Sequence, residues 1–135
     1  MFLQPKKFKY KKVQKGKFPK IKYKKNKLIF GNIGLKANQP GIITARQLES
    51  ARQAIVRKIK RKGKVWVNIF PSIPITKKPT EVRMGKGKGN VDYWAAKVKM
   101  GSVLFELSGI SLPNAKAAFR TGSAKLPIKT IIVEQ

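Results

Sequence analysis

Residues 44–70 read TARQLESARQAIVRKIKRKGKVWVNIF, and the change of period inside this stretch sets the fold class. Leu48, Ala51, Ile55 and Ile59 recur at i, i+3, i+7 and i+11, which places them on one apolar helix face. Thr44 with Gln47 three residues on has the form of a capping box. The spacing predicts a helix from Thr44 to about Lys62, with Arg46, Gln53, Arg57, Lys60 and Arg61 lying mostly away from the apolar face. The basic run RKIKRK (57–62) falls in the last turns, where it complements the helix dipole, and Gly63 supplies the stop. From Lys64 the period drops to two, and KVWVNIF (64–70), with β-branched and aromatic residues, predicts a strand. A basic amphipathic helix can also lie on an anionic membrane. The face here is small, contains alanine and lacks Trp or Phe, which favours burial against a sheet.

Working outward, LIFGNIGLKA (28–37) predicts a short apolar strand broken by Gly31 and Gly34. Pro71, Pro74 and Pro79 make the stretch after the second strand an extended connection. DYWAAKVKM (92–100) and SVLFELS (102–108) predict two strands forming an antiparallel hairpin that turns near Gly101. LPNAKAAFRTGSAKL (112–126) predicts a second helix, with Pro113 in the first turn, Ala115, Ala118 and Phe119 inward, and Pro127 ending it. IKTIIVE (128–134) supplies a final strand. The order β-α-β-β-β-α-β argues for an α+β fold: a compact single domain over residues 28–135, mostly antiparallel sheet with two helices. Residues 1–27 form an extended basic N-terminal arm in this reading.

Composition narrows the chemistry. A chain of 135 residues with 41% apolar side chains can build one modest core. Its 32 Lys and Arg against 5 Asp and Glu give a net charge of +27, which repels itself unless a polyanion supplies counter-charge. Cysteine and histidine are absent, which removes the thiolate and imidazole ligands and the commonest general base. The acids Glu49, Glu81, Asp92, Glu106 and Glu134 are scattered, with no pair at helical i, i+3 or i+4 spacing. The expectation is therefore no catalytic residues, no metal site, no cofactor and no small-molecule substrate. No stretch approaches the roughly 20 apolar residues of a membrane span, and no membrane partner is expected. A secretory signal is not visible, and residues 1–30 contain no Arg or Ser, unlike a transit peptide.

The arm, MFLQPKKFKYKKVQKGKFPKIKYKKNK, holds twelve lysines and no acid, with Phe2, Phe8, Tyr10, Phe18 and Tyr23 interleaved. A disordered tail is the plain alternative. The recurring aromatics favour an arm that orders against RNA, with Lys6, Lys7, Lys9, Lys11, Lys12, Lys15 and Lys17 on phosphates and aromatics on bases or on the domain. Arg46, Arg57, Lys58, Lys60 and Arg61 of the first helix join the expected RNA-binding set.

A second basic feature is EVRMGKGKGN (81–90). A phosphate-binding P-loop requires Ser or Thr after its lysine and a following helix, and neither Lys86 nor Lys88 has one. The dinucleotide fingerprint G-x-G-x-x-G also precedes a helix, whereas Gly85, Gly87 and Gly89 precede a strand-like segment. What remains is a loop between two strands. Its glycines let the backbone approach another surface, and Lys86 and Lys88 project as point charges suited to phosphate. Arg83 can stack or make bidentate contacts. Contact with an RNA backbone is favoured over a mobile surface turn.

The stretch ITKKPTEVRMGKGKGN followed by Trp94, together with ITARQLESARQA upstream, closely resembles the bacterial-type large-subunit ribosomal protein L-sixteen family. LQPKKFKYKK, GKVWVNIFPSIPIT, GSVLFELSGIS and AKLPIKT extend the resemblance over essentially the whole chain, in order. The resemblance implies a non-enzymatic constituent of the large ribosomal subunit that binds its ribosomal RNA, contacts other large-subunit proteins and joins late in assembly. It further implies that Arg83, Met84, Gly85, Lys86, Gly87, Lys88, Gly89 and Asn90 form a loop near the tRNA acceptor region by the peptidyl transferase centre. In some bacterial members the arginine matching Arg83 is hydroxylated. Residues 14–30 depart most from the family pattern, being richer in lysine.

Lysine outnumbers arginine 26 to 6, and Ile and Asn are frequent, as A+T-rich codons would produce. The chain begins at the family's usual start. These features favour a mitochondrially encoded member over a bacterial cytoplasmic or plastid one. A charge-driven binder of any polyanion is the competing class, and an ordered α+β core after the arm argues against it.

Overall fold

The computed structural model describes residues 4–17 and 27–135. Seven strands and two helices follow one another as β1 (Ile33–Ala37), β2 (Gly41–Thr44), α1 (Ala45–Lys58), β3 (Lys64–Val67), β4 (Ile73–Lys77), β5 (Asn90–Val98), β6 (Val103–Ser108), α2 (Leu112–Ser123) and β7 (Thr130–Glu134). They form two antiparallel sheets, a larger one in the order β3-β6-β1-β7 and a smaller one in the order β2-β5-β4. This is the expected α+β class.

The first helix forms for the reasons its sequence suggests. Thr44 Oγ1 accepts from the Gln47 N–H at 3.2 Å, while Gln47 Oε1 accepts from the Thr44 N–H at 2.9 Å, closing the capping box. Leu48, Ala51 and Ile55 are buried along one stripe, followed by Ile59 at the C-cap. The helix ends earlier than expected, at Lys58. Lys60 and Arg61 adopt left-handed φ of 52° and 61°, and the Arg61 N–H reaches back to the Val56 carbonyl at 3.1 Å. The chain thus reverses two residues before Gly63, and Lys60 and Arg61 stand outside the helix.

Helix α2 packs in close contact with α1. Pro113 sits in its first turn, and Ala115, Ala118, Phe119 and Gly122 face the core. At Gly122 a Cβ would collide with the Ile55 side chain, so the two helices approach to a distance only glycine permits. The helix stops at Ser123, four residues ahead of Pro127. Phe105, Phe119, Leu35, Ile43, Leu48, Ile55, Leu104 and Leu107 are the largest fully buried apolar side chains of the core cluster. Burying each contributes about 1.5–3 kcal/mol.

Three expectations fail, each for a physical reason. The turn at Gly101 exists, with φ +87°, but β5 and β6 do not pair with each other. Strand β5 has β2 and β4 on its two edges, and β6 has β3 and β1, so the turn carries the chain from one sheet to the other. The proline-rich connection contains a strand, β4, whose Pro74 lies opposite Trp94. Because β4 is an edge strand, a residue without an N–H is tolerated there. The segment 28–37 is strand only from Ile33; before it, a strap crosses the outward face of the larger sheet. Leu28 of this strap lies over Gly34, where a Cβ would displace it.

Glu106 holds the strap. Its side chain is fully buried, and Oε2 accepts from the backbone N–H groups of Ile29, Phe30 and Gly31 at 3.0, 2.7 and 2.8 Å. Oε1 accepts from the amide of Asn68, the residue just after β3. Burial raises the pKa of this carboxyl, but the hydrogen bonds from Phe30, Gly31, Asn68 and Ile29 outweigh it and hold the group below its ordinary value.

Candidate nucleic-acid interface

The smaller sheet carries the glycine–lysine loop. Strands β4 and β5 pair from Ile73 opposite Ala95 to Lys77 opposite Asn90, and residues 78–89 connect them as an extended hairpin. Arg83, Met84, Gly85, Lys86, Gly87 and Lys88 are all exposed, and Met84 is 98% exposed. At the tip, Gly85, Lys86 and Gly87 have φ of +101°, +54° and +86°, three left-handed residues in a row. Two of the three are glycine, the residue that adopts this conformation without penalty. A Cβ at Gly85 or Gly87 would meet nothing within 4 Å, whereas one at Gly89 would strike the Lys77 carbonyl. Gly89 therefore serves the hairpin's own closure, and Gly85 and Gly87 face open space where their side chains would be.

Three lysines hold the loop in place. Lys78 Nζ, at the start of the loop, donates to the Gly85 carbonyl at the tip at 2.5 Å. Lys88 Nζ donates to the Val13 carbonyl at 2.6 Å, and Lys12 Nζ donates in return to the Lys88 carbonyl at 2.9 Å. This reciprocal link changes the expected equivalence of the two loop lysines: Lys88 ties the loop to the arm, while Lys86 is exposed at the tip. The arm continues along β5, where Lys97 Nζ donates to the Lys15 carbonyl and Phe8 packs against Trp94 with ring centroids 5.4 Å apart. Lys6, Lys7, Lys9, Lys11, Lys12, Lys15 and Lys17 are all exposed along this track. Phe2, Phe18 and Tyr23, and the rest of the arm between residues 18 and 26, lie outside the described residues.

Arg46 belongs to the same region. It is exposed in the first turn of α1 and lines a cleft of about 430 Å³ with Gln4, Thr44, Asp92, Tyr93 and Trp94. No acid occupies that first turn, so the positive end of the helix dipole adds to the field of Arg46. Arg57, Lys58, Lys60 and Arg61 are exposed at the other end of the helix. At about 1.5 Å per residue, that end lies roughly 20 Å away. The structure thus brings arm, loop and Arg46 together and leaves the second basic cluster apart.

Two exposed acids offset part of this charge, Asp92 in the cleft beside Arg46 and Glu81 next to the loop, and the other three are engaged elsewhere. Glu49 pairs with Arg52 at 2.6 Å, whose hydrogen bond lowers the Glu49 pKa, and Glu134 pairs with Lys116 at 2.6 Å. Glu106 is buried under the strap. Among the described residues no three acids gather into a metal-sized cluster, and no helix is long and apolar enough to cross a membrane. Lys78 and Lys97 are parts of the surface that the sequence reading did not single out, and Trp94 entered it only through the family resemblance. Their signal was position: each flanks the loop or lies on the strand that follows it.

Residues 5–133 match the family model described as ribosomal protein L16p/L10e. The chain is 54% identical over 131 residues to a protein of Cereibacter sphaeroides named large ribosomal subunit protein uL16, covering 97% of this chain and 96% of that one. Proteins of the same name from Rhizobium etli and from Buchnera aphidicola are each 52% identical over 133 residues, covering 98% of this chain and 97% of theirs.

Proposed function

From the premise that this chain belongs to the ribosomal protein L16p/L10e family, as a structural, non-enzymatic constituent of the large ribosomal subunit, we propose a division of labour over its basic surface. The arm residues Lys6 to Lys17, with Arg46, bind the phosphate backbone of large-subunit ribosomal RNA. Arg57, Lys58, Lys60 and Arg61 make a second RNA contact at the far end of α1. The loop Arg83 to Asn90 projects beyond the arm and helps position tRNA near the peptidyl transferase centre. Neighbouring large-subunit proteins are further partners, and the chain supports late subunit assembly.

The observation that carries this reading is the loop tip: the consecutive left-handed residues Gly85, Lys86 and Gly87, with open space where Gly85 and Gly87 lack a side chain, preceded by Arg83 and tied to the arm through Lys12 and Lys88. A backbone held in that conformation, with open space on the side where Gly85 and Gly87 lack a side chain, suits close approach by another molecule. Phosphate contacts from scattered lysines position a protein on RNA without reading sequence, as the arm's composition requires. The protein should co-sediment with the large subunit through a high-salt wash, and recovery at the top of the gradient would sink the reading.

The same reading places the chain on a ribosome, and its 26 lysines to 6 arginines support a mitochondrial one. The named relatives are bacterial, which makes the bacterial cytoplasm the alternative, with the plastid a third. Fractionation of the source cells, followed by detection in the organelle or the cytoplasm, decides between them.

A further inference from the structure

On the outward face of the larger sheet, the sheet that does not carry the glycine–lysine loop, Phe30 of the strap stacks on Trp66 of β3 with centroids 5.9 Å apart and ring planes 16° from parallel. We propose that this pair is a platform for an unpaired base of RNA, with Lys64 as its phosphate contact. The proposal rests on the reading of the chain as a ribosomal-RNA-binding protein and adds a site to it.

Four observations carry it. Phe30 is 57% exposed and the preceding Ile29 is 70% exposed, so a large flat apolar surface is presented to solvent rather than buried. Lys64 Nζ lies 5.1 Å from the Trp66 ring centroid, and Lys60, Arg61 and Lys62 are exposed in the turn just before it. The acid on this face, Glu106, presents no charge to a ligand, because it is fully buried and accepts from Asn68 and three backbone N–H groups. One of those groups is the N–H of Phe30 itself, at 2.7 Å, so the residue bearing the ring is anchored before any ligand arrives. Aromatic faces ringed by cations are how proteins hold single-stranded nucleic acid, since every base has a face to stack. RNA brings both requirements of this surface at once, a stacking face for Phe30 and a phosphate for Lys64.

The test is binding of the full chain to large-subunit ribosomal RNA over a range of salt concentrations. Phe30→Leu, which keeps bulk but loses the aromatic face, should weaken binding at least about fivefold, the lower end of what one base–aromatic stack carries. Phe30→Tyr should restore it. Lys64→Ala, at an exposed site, should lower the slope of log affinity against log salt by roughly 0.7–0.9, the loss of one phosphate contact. Wild-type affinity for Phe30→Leu, equal losses for Leu and Tyr, or an unchanged slope for Lys64→Ala would each overturn the platform. Release of a neighbouring ribosomal protein from subunits carrying Phe30→Leu, with RNA affinity unchanged, would reassign the face to that protein. Failure of the wild-type chain to bind the RNA at all would instead remove the underlying functional reading.

Discussion

Glycine is used in opposite ways at the two ends of this molecule. At Gly122 the missing side chain is filled by Ile55 of the facing helix, so the glycine serves contact within the protein. At Gly85 and Gly87 nothing of the protein lies within 4 Å of the missing side chain, and the backbone is left-handed. The helical layer spends its sequence on internal fit, whereas the loop keeps its backbone accessible for something outside. This contrast separates residues that make the fold from residues that the fold presents.

Breaking the internal side should have the largest effect. Ile55→Ala removes a fully buried side chain from between the helices and should cost about 2–5 kcal/mol in denaturant unfolding. Gly122→Ala overfills the same contact and should cost about 1–3 kcal/mol. Near-zero values for both would mean that the helices do not pack as described.

The strap lies between these extremes, and pH addresses it. Because the hydrogen bonds to Glu106 hold its folded-state pKa below the ordinary value, the unfolded chain binds the extra proton first. Its contribution is complete above the unfolded carboxyl value of about 4.3 and is lost as pH falls through the lower folded value. In a Trp94→Phe background, fluorescence of Trp66 should report loss of the Phe30 stack on acidification, and Glu106→Gln should abolish that transition. A transition that persists unchanged in Glu106→Gln would assign it to another group.

The sequence showed α1 almost in full, because its capping box and apolar stripe are local and agree with each other. It showed the Gly101 turn but not where the flanking strands would pair, since pairing depends on edges supplied by β1, β2, β3 and β4 from elsewhere in the chain. Strand β4 was hidden by its prolines, whose penalty vanishes at a sheet edge. The short strand GIIT of β2 was masked by the helix start that it abuts. Glu106 stood in view as a lone acid inside the apolar run VLFELS, a pattern that signals a buried charge with dedicated partners. Its partners come from residues 29–31 and 68, which no local spacing connects to it. The loop's openness could be anticipated from its glycines, but the link from Lys88 to Val13 needed the folded arm.

The outward-facing side of the contrast should leave stability untouched and change binding. Arg83→Ala combined with Lys86→Ala removes exposed cations while sparing the Lys12–Lys88 link to the arm. The decisive measurement is tRNA affinity of large subunits reconstituted with this double variant. The account predicts normal incorporation, an unfolding free energy within about 0.5 kcal/mol of wild type, and tRNA affinity reduced roughly tenfold through lost charge-assisted hydrogen bonds. Wild-type tRNA affinity in fully incorporated subunits would contradict it.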